Sequence, residues 1–173
     1  MSLAKCFLFS LVAFIGLNVV FLLLAYLVSG NFDVFTAAFE ADAMGTLAIL
    51  LFGPMAAAGT PGIVISSIGA AVATSATIET LLIIQWIGFF VAPAIGAFLS
   101  GFFAENRKEA FLGWFLTAII SMIIVIILVI VEMLSGAITP PAEYITGSII
   151  IYLGVGLTIA LFYGCIALLT RRD

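Results

Sequence analysis

Residues 110–131 form a run of 22 positions without a single charge, reading LTAIISMIIVIILVIV through its middle. Wound as a helix at about 1.5 Å per residue, such a run crosses the ~30 Å hydrocarbon layer of a bilayer. A helix of that length in water needs a polar face, and this one has none. The rest of the chain agrees, with 65% hydrophobic and 8% charged residues and a mean hydropathy of +1.42. A soluble domain carries about 25% charged residues, so this chain has too little polar surface to meet water. A transmembrane β-barrel would show segments of about 10 residues alternating apolar and polar; long continuous apolar runs are the opposite pattern. The fold class expected is all-α: one polytopic transmembrane helical bundle spanning residues 1–173.

Four segments read as full spans: 6–28, 80–104, 110–135 and 146–170. The first exceeds the usual apolar core of a signal peptide, about 7 to 15 residues, and is read as a retained span. Orientation follows from the five basic residues, Lys5, Arg107, Lys108, Arg171 and Arg172. Lys and Arg in short loops mark the cytoplasmic side. Placing all three clusters there leaves segments 31–42 and 137–144, and Glu79, external and free of Lys and Arg. Both termini are then cytoplasmic, in a multi-pass protein of the cell membrane. Amphipathic rings favour interfaces, which places Tyr26, Trp86 and Tyr144 toward the outer face and Trp114 and Tyr163 toward the inner one.

Parity turns this orientation into a constraint on residues 43–77, a stretch of 35 uncharged positions. The chain is outside at Asp42 and inside by Arg107, and 80–104 supplies one crossing. The stretch therefore crosses twice or not at all. Gly59, Thr60, Pro61 and Gly62 break it, because glycine permits positive φ while proline removes a donor and disfavours helix at the residue before it. Two short helices result, about 43–58 and 62–76, giving six membrane helices in all. Each arm reaches roughly 22 Å at about 1.5 Å per residue, so the pair forms either two tight crossings or a re-entrant hairpin. Residues 31–42, with Phe32, Phe35 and Phe39 at helical spacing, suit a short amphipathic helix in the outer interface.

Small residues recur along the spans: Gly88, Ala92, Gly96 and Ser100 in one, Gly156, Ala160 and Gly164 in another. Such rows let helix backbones approach closely, which drives packing where lipid offers no hydrophobic gain. They serve intramolecular packing first, and a self-association face second. Residues 119–131, bulky and mostly β-branched, read as a lipid-facing surface. Pro54 and Pro93 interrupt helical hydrogen bonding within their segments. A broken helix frees carbonyls that can coordinate a cation, so Pro54, Gly59, Thr60, Pro61, Gly62 and Pro93 are the hinge or permeation candidates. The polar candidates are Asn18, Glu79, Gln85 and Glu132, because intramembrane polar groups are costly unless they bond or function. Asn18 and Gln85 suit hydrogen bonds between helices, and Glu79 and Glu132 suit the interface.

The chain has no His and two separated Cys, so no metal or cofactor site is expected. Phosphate loops, a nucleophile elbow and paired catalytic carboxylates are also missing from the sequence, and an enzyme is not expected. Five basic residues give no support for nucleic-acid binding. The expected partners are the lipid bilayer and either further copies of the chain or a larger membrane complex. Two functions remain: a small channel or carrier for ions or small solutes built on the broken hairpin, or a structural subunit that does not transport. A cysteine placed at Thr60 decides the course of the hairpin: labelling from the cytoplasm establishes two crossings, and labelling from outside alone establishes re-entry.

Overall fold

The computed structural model describes residues 3–56, 80–135 and 141–171, and these form six helices with no strand among the described residues. They are α1 (Leu3–Val28), α2 (Phe32–Ala41), α3 (Ala43–Ala56), α4 (Thr80–Phe103), α5 (Arg107–Ser135) and α6 (Ala142–Thr170). Four of them, α1, α4, α5 and α6, are long and apolar enough to cross a membrane. The amphipathic segment forms α2, and the first arm of the hairpin forms α3. The second arm at 62–76, the Gly59 to Gly62 break and Glu79 lie outside the described residues.

Local chemistry sets the ends of these helices. Gly30 closes α1 at φ +71°, a conformation that glycine adopts without penalty. Its N–H donates to the Leu27 carbonyl at 3.3 Å and the Asn31 N–H to that of Tyr26 at 3.0 Å, the bond pair of a Schellman ending. The turn between α4 and α5 is closed by Asn106, whose Oδ1 accepts from the Glu109 N–H at 2.9 Å. Glu109 reaches back to the Glu105 N–H at 3.1 Å. This reciprocal cap starts α5 at Arg107, three residues before the uncharged run begins.

The helices pack through small residues. A Cβ added to Gly88 would lie 2.5 Å from Phe21, and one on Gly96 would meet Trp114, the Ser10 carbonyl and Phe14 within 3.0–3.3 Å. Ala92 and Ser100 are fully buried on the same face of α4, and Ser100 Oγ donates to the Ala110 carbonyl at 2.7 Å. On α6, Gly156 faces Met122 and Gly164 lies under Phe111, with buried Ala160 between them. The row on α4 is thus spent inside the bundle, so Gly96 and Ser100 are not a face for another copy. Pro93 is buried within α4, which runs through it without interruption.

Two expectations are corrected. Trp114 and Tyr163 are not interface anchors: they are 0% and 2% exposed and pack against each other in the core, ring centroids 6.0 Å apart. Trp114 also meets Phe14 edge-on at 5.9 Å, and its indole N–H donates to the Ala160 carbonyl at 3.1 Å. That bond satisfies the one polar group of the indole, which removes the need for an aqueous interface. Nor is α5 a lipid-facing helix. Gly113, Thr117, Ser121, Val125 and Val129 bury one face at every fourth residue, while Ile123, Ile127 and Val131 remain exposed. Its bulky run therefore coats only the outer side of a helix that touches α1, α3, α4 and α6.

α4 approaches α6 closely at Gly101, where an added Cβ would collide with Thr170 Oγ1 and the Ala167 carbonyl. Gly101→Ala should force these helices apart and cost about 1–3 kcal/mol in unfolding free energy. Gly154→Ala should change it by less than about 0.5 kcal/mol, since nothing among the described residues lies within 4 Å. Denaturant titration of purified protein in detergent, followed by circular dichroism, distinguishes the two.

Candidate functional site

The site begins with a proline. Pro54 has no N–H, so the Leu50 carbonyl one turn earlier in α3 has no helical donor. Phe52 adds to the break, with φ −134° and ψ 33° inside an otherwise helical segment. The Ile49 carbonyl would ordinarily bond to Gly53, which follows that non-helical residue. Asn18 supplies a donor to each of these two carbonyls. Its Nδ2 donates to Leu50 O at 2.7 Å and to Ile49 O at 2.9 Å.

This pairing lies deep in the bundle. Asn18 is 2% exposed and Phe52, Pro54 and Met55 are buried. Phe14, one turn before Asn18 and near the middle of α1, packs on Phe52 with ring centroids 6.5 Å apart. Gly53 allows the close approach: a Cβ there would fall 2.5 Å from Phe89 and 2.9 Å from Asn18 Oδ1. The break is thus wedged between α1 and α4, beside the middle of α1, and enclosed by protein as irregular backbone in a membrane must be.

Above it lies a cleft of about 530 Å³ whose lining includes Asp42, Gly45, Ile49, Ala56, Glu132 and Tyr152. Asp42 caps α3, its Oδ1 accepting from the Gly45 N–H at 2.9 Å and its carbonyl from the Thr46 N–H at 3.1 Å. Its other carboxyl oxygen and Glu132 Oε2 both converge on the open side of Gly45, with Glu132 Oε2 3.2 Å from where a Cβ would stand. A side chain at position 45 would separate the two acids. The cleft leads from this carboxyl pair along α3 to Ala56, just beyond the break.

The structure brings Asn18 and Pro54 together and puts Glu132 one cleft away; Gln85 is half-buried on α4, and Pro93 lies in the packed core. Asp42 belongs to the external acidic residues that the sequence suggests could concentrate cations at an entrance, whereas Gly45, Gly53 and Tyr152 are not marked as site residues by the sequence. An acid immediately before an apolar helix is a capping signal that pointed to Asp42. The others carry no local signal, because their roles come from neighbours distant in the chain. Fold and site together define an all-α membrane helical bundle with an interrupted short apolar helix packed against its spanning helices. No family model, curated protein or solved structure matches the chain.

Asn18→Ala removes both donors and leaves two carbonyls unpaired in the core, at an expected cost of about 1–3 kcal/mol. In a Pro54→Ala background residue 54 regains an N–H for Leu50 O, so the same change should cost less, with a coupling of about 0.5–2 kcal/mol. A double-mutant cycle on unfolding in detergent measures this directly.

Proposed function

We propose that the protein is a small channel or carrier, in which the interrupted helix α3 lines a path for ions or small solutes. The observation that carries this reading is the break at Phe52–Pro54, enclosed by α1 and α4 and next to a cleft with two carboxyls at one end. Interrupted helices near the bilayer midplane are where transporters coordinate their cargo, because unwound carbonyls face inward there. Two acids side by side collect positive charge and raise the local concentration of cations. The described Lys and Arg residues, Lys5, Arg107, Lys108 and Arg171, gather at the opposite end of the bundle. In the cell membrane that basic end faces the cytoplasm, and the cleft opens to the outside.

A second reading is favoured by one face of α6. Gly147 and Gly154 have nothing among the described residues within 4 Å, and exposed Thr158 and Cys165 continue the same side. Small residues open to lipid at this spacing suit a packing surface for another membrane helix, which is what a scaffold subunit needs.

Purified protein in liposomes should pass a monovalent cation faster than protein-free liposomes. Neutralising the mouth with Asp42→Asn and Glu132→Gln should slow that flux about tenfold at low salt. Flux equal to that of empty liposomes ends the permeation reading. For the scaffold, Gly147→Leu with Gly154→Leu should dissociate any assembly on a sizing column, and an unchanged elution volume removes that surface from consideration.

A further inference from the structure

A second cleft, of about 370 Å³, opens on the lipid-facing side between α5 and α6 at the basic end of the bundle. Phe111, Leu112 and Leu168 line it together with Arg107 and Lys108, exposed residues of the first turn of α5. Phe111 is the floor, laid flat over Gly164 of α6 and stacked on Phe115 at a centroid distance of 5.6 Å. Leu112 projects outward at 43% exposed.

We propose that this groove is a binding site for an anionic phospholipid, the walls taking the upper part of an acyl chain and Arg107 and Lys108 holding the phosphate-bearing headgroup. The groove lies between two helices long and apolar enough to cross a membrane, at the end where α5 begins and α6 stops. Its apolar walls and paired cations match the two halves of one molecule, a lipid whose headgroup carries net negative charge. Basic rims on pockets between spanning helices suit anionic headgroups, and each Lys or Arg near a bilayer surface adds measurably to that attraction. A zwitterionic lipid fills the walls equally well and gains less at the rim. The site is separate from the α3 break and does not depend on whether the protein conducts.

The test is native mass spectrometry of the purified full chain in mixed micelles containing equal amounts of phosphatidylglycerol and phosphatidylcholine. The wild type should retain one phosphatidylglycerol in roughly tenfold preference over phosphatidylcholine. Arg107→Gln with Lys108→Gln should abolish the preference while leaving lipid bound. Leu112→Trp, a change at an exposed position that fills the groove, should remove retention of both lipids, with helix content by circular dichroism unchanged. Millimolar inorganic phosphate should not displace the retained lipid. Equal retention of the two lipids by wild type, a preference that survives the double Gln variant, retention unaltered by Leu112→Trp, or displacement by free phosphate would each overturn the proposal.

Discussion

The rest of the bundle depends on how two backbone carbonyls in α3 are satisfied. In water an interrupted helix is tolerable, because solvent supplies the missing donors. In hydrocarbon it is not, and each unpaired group costs several kcal/mol by order of magnitude. Asn18 meets this requirement with a single amide that reaches both Leu50 and Ile49. That reach requires α1 to lie directly against the break, which in turn places Phe14 on Phe52 and brings Phe89 of α4 up to Gly53. One polar side chain therefore fixes the depth and register of three helices at once. It also explains why α3, with only 14 residues, is anchored in the core.

Around this point the helices are held by shape. Lipid tails are as apolar as the spans, so burying Leu or Ile against another helix gains little over leaving it in the bilayer. What differs between the two environments is the number of close contacts, and glycine, alanine and serine maximise it by letting backbones approach. Gly88, Gly96, Gly101, Gly113, Gly156 and Gly164 each lie where a Cβ would collide with a neighbouring helix. The large residues then divide: Trp114, Tyr163 and Phe14 fill the space enclosed, and Leu8, Val12, Ile127 and Ile151 coat the exterior.

The spanning helices were legible because continuous hydropathy over more than 20 residues has few other physical outcomes, and their boundaries moved by only a few residues where caps such as Asn106 decided them. Burial was less legible. The run in α5 looks uniform in hydropathy, yet its face is set by Gly113, Thr117 and Ser121, whose small size matters more than the bulk of the isoleucines around them. Trp114 and Tyr163 were assigned to an interface from the habits of their ring types, which say nothing of a carbonyl such as that of Ala160 waiting in the core. Asn18 and Pro54 were each conspicuous alone. Their partnership was not, because it joins Asn18 to carbonyls 31 and 32 residues away and exists only once α1 and α3 are packed.

That partnership also constrains any account of permeation. A cation drawn to the carbonyls of Ile49 and Leu50 would meet the hydrogens of Asn18 Nδ2, whose positive partial charge opposes it. A conducting or carrying state built on these carbonyls would therefore favour an Asn18 side chain turned away, or one presenting Oδ1 in place of Nδ2. The same amide that stabilises the described arrangement therefore opposes the alternative one. Its hydrogen bonds are the free energy that bound cargo has to replace, and a ligand shifts such an equilibrium only by its differential affinity for the two states. In the permeation reading the carboxyl pair at the head of the cleft would act earlier and at a distance, by raising the concentration of positive charge where the cleft begins. Capture at the mouth and release of the break would then be distinct steps, one set by Asp42 and Glu132 and the other by Asn18.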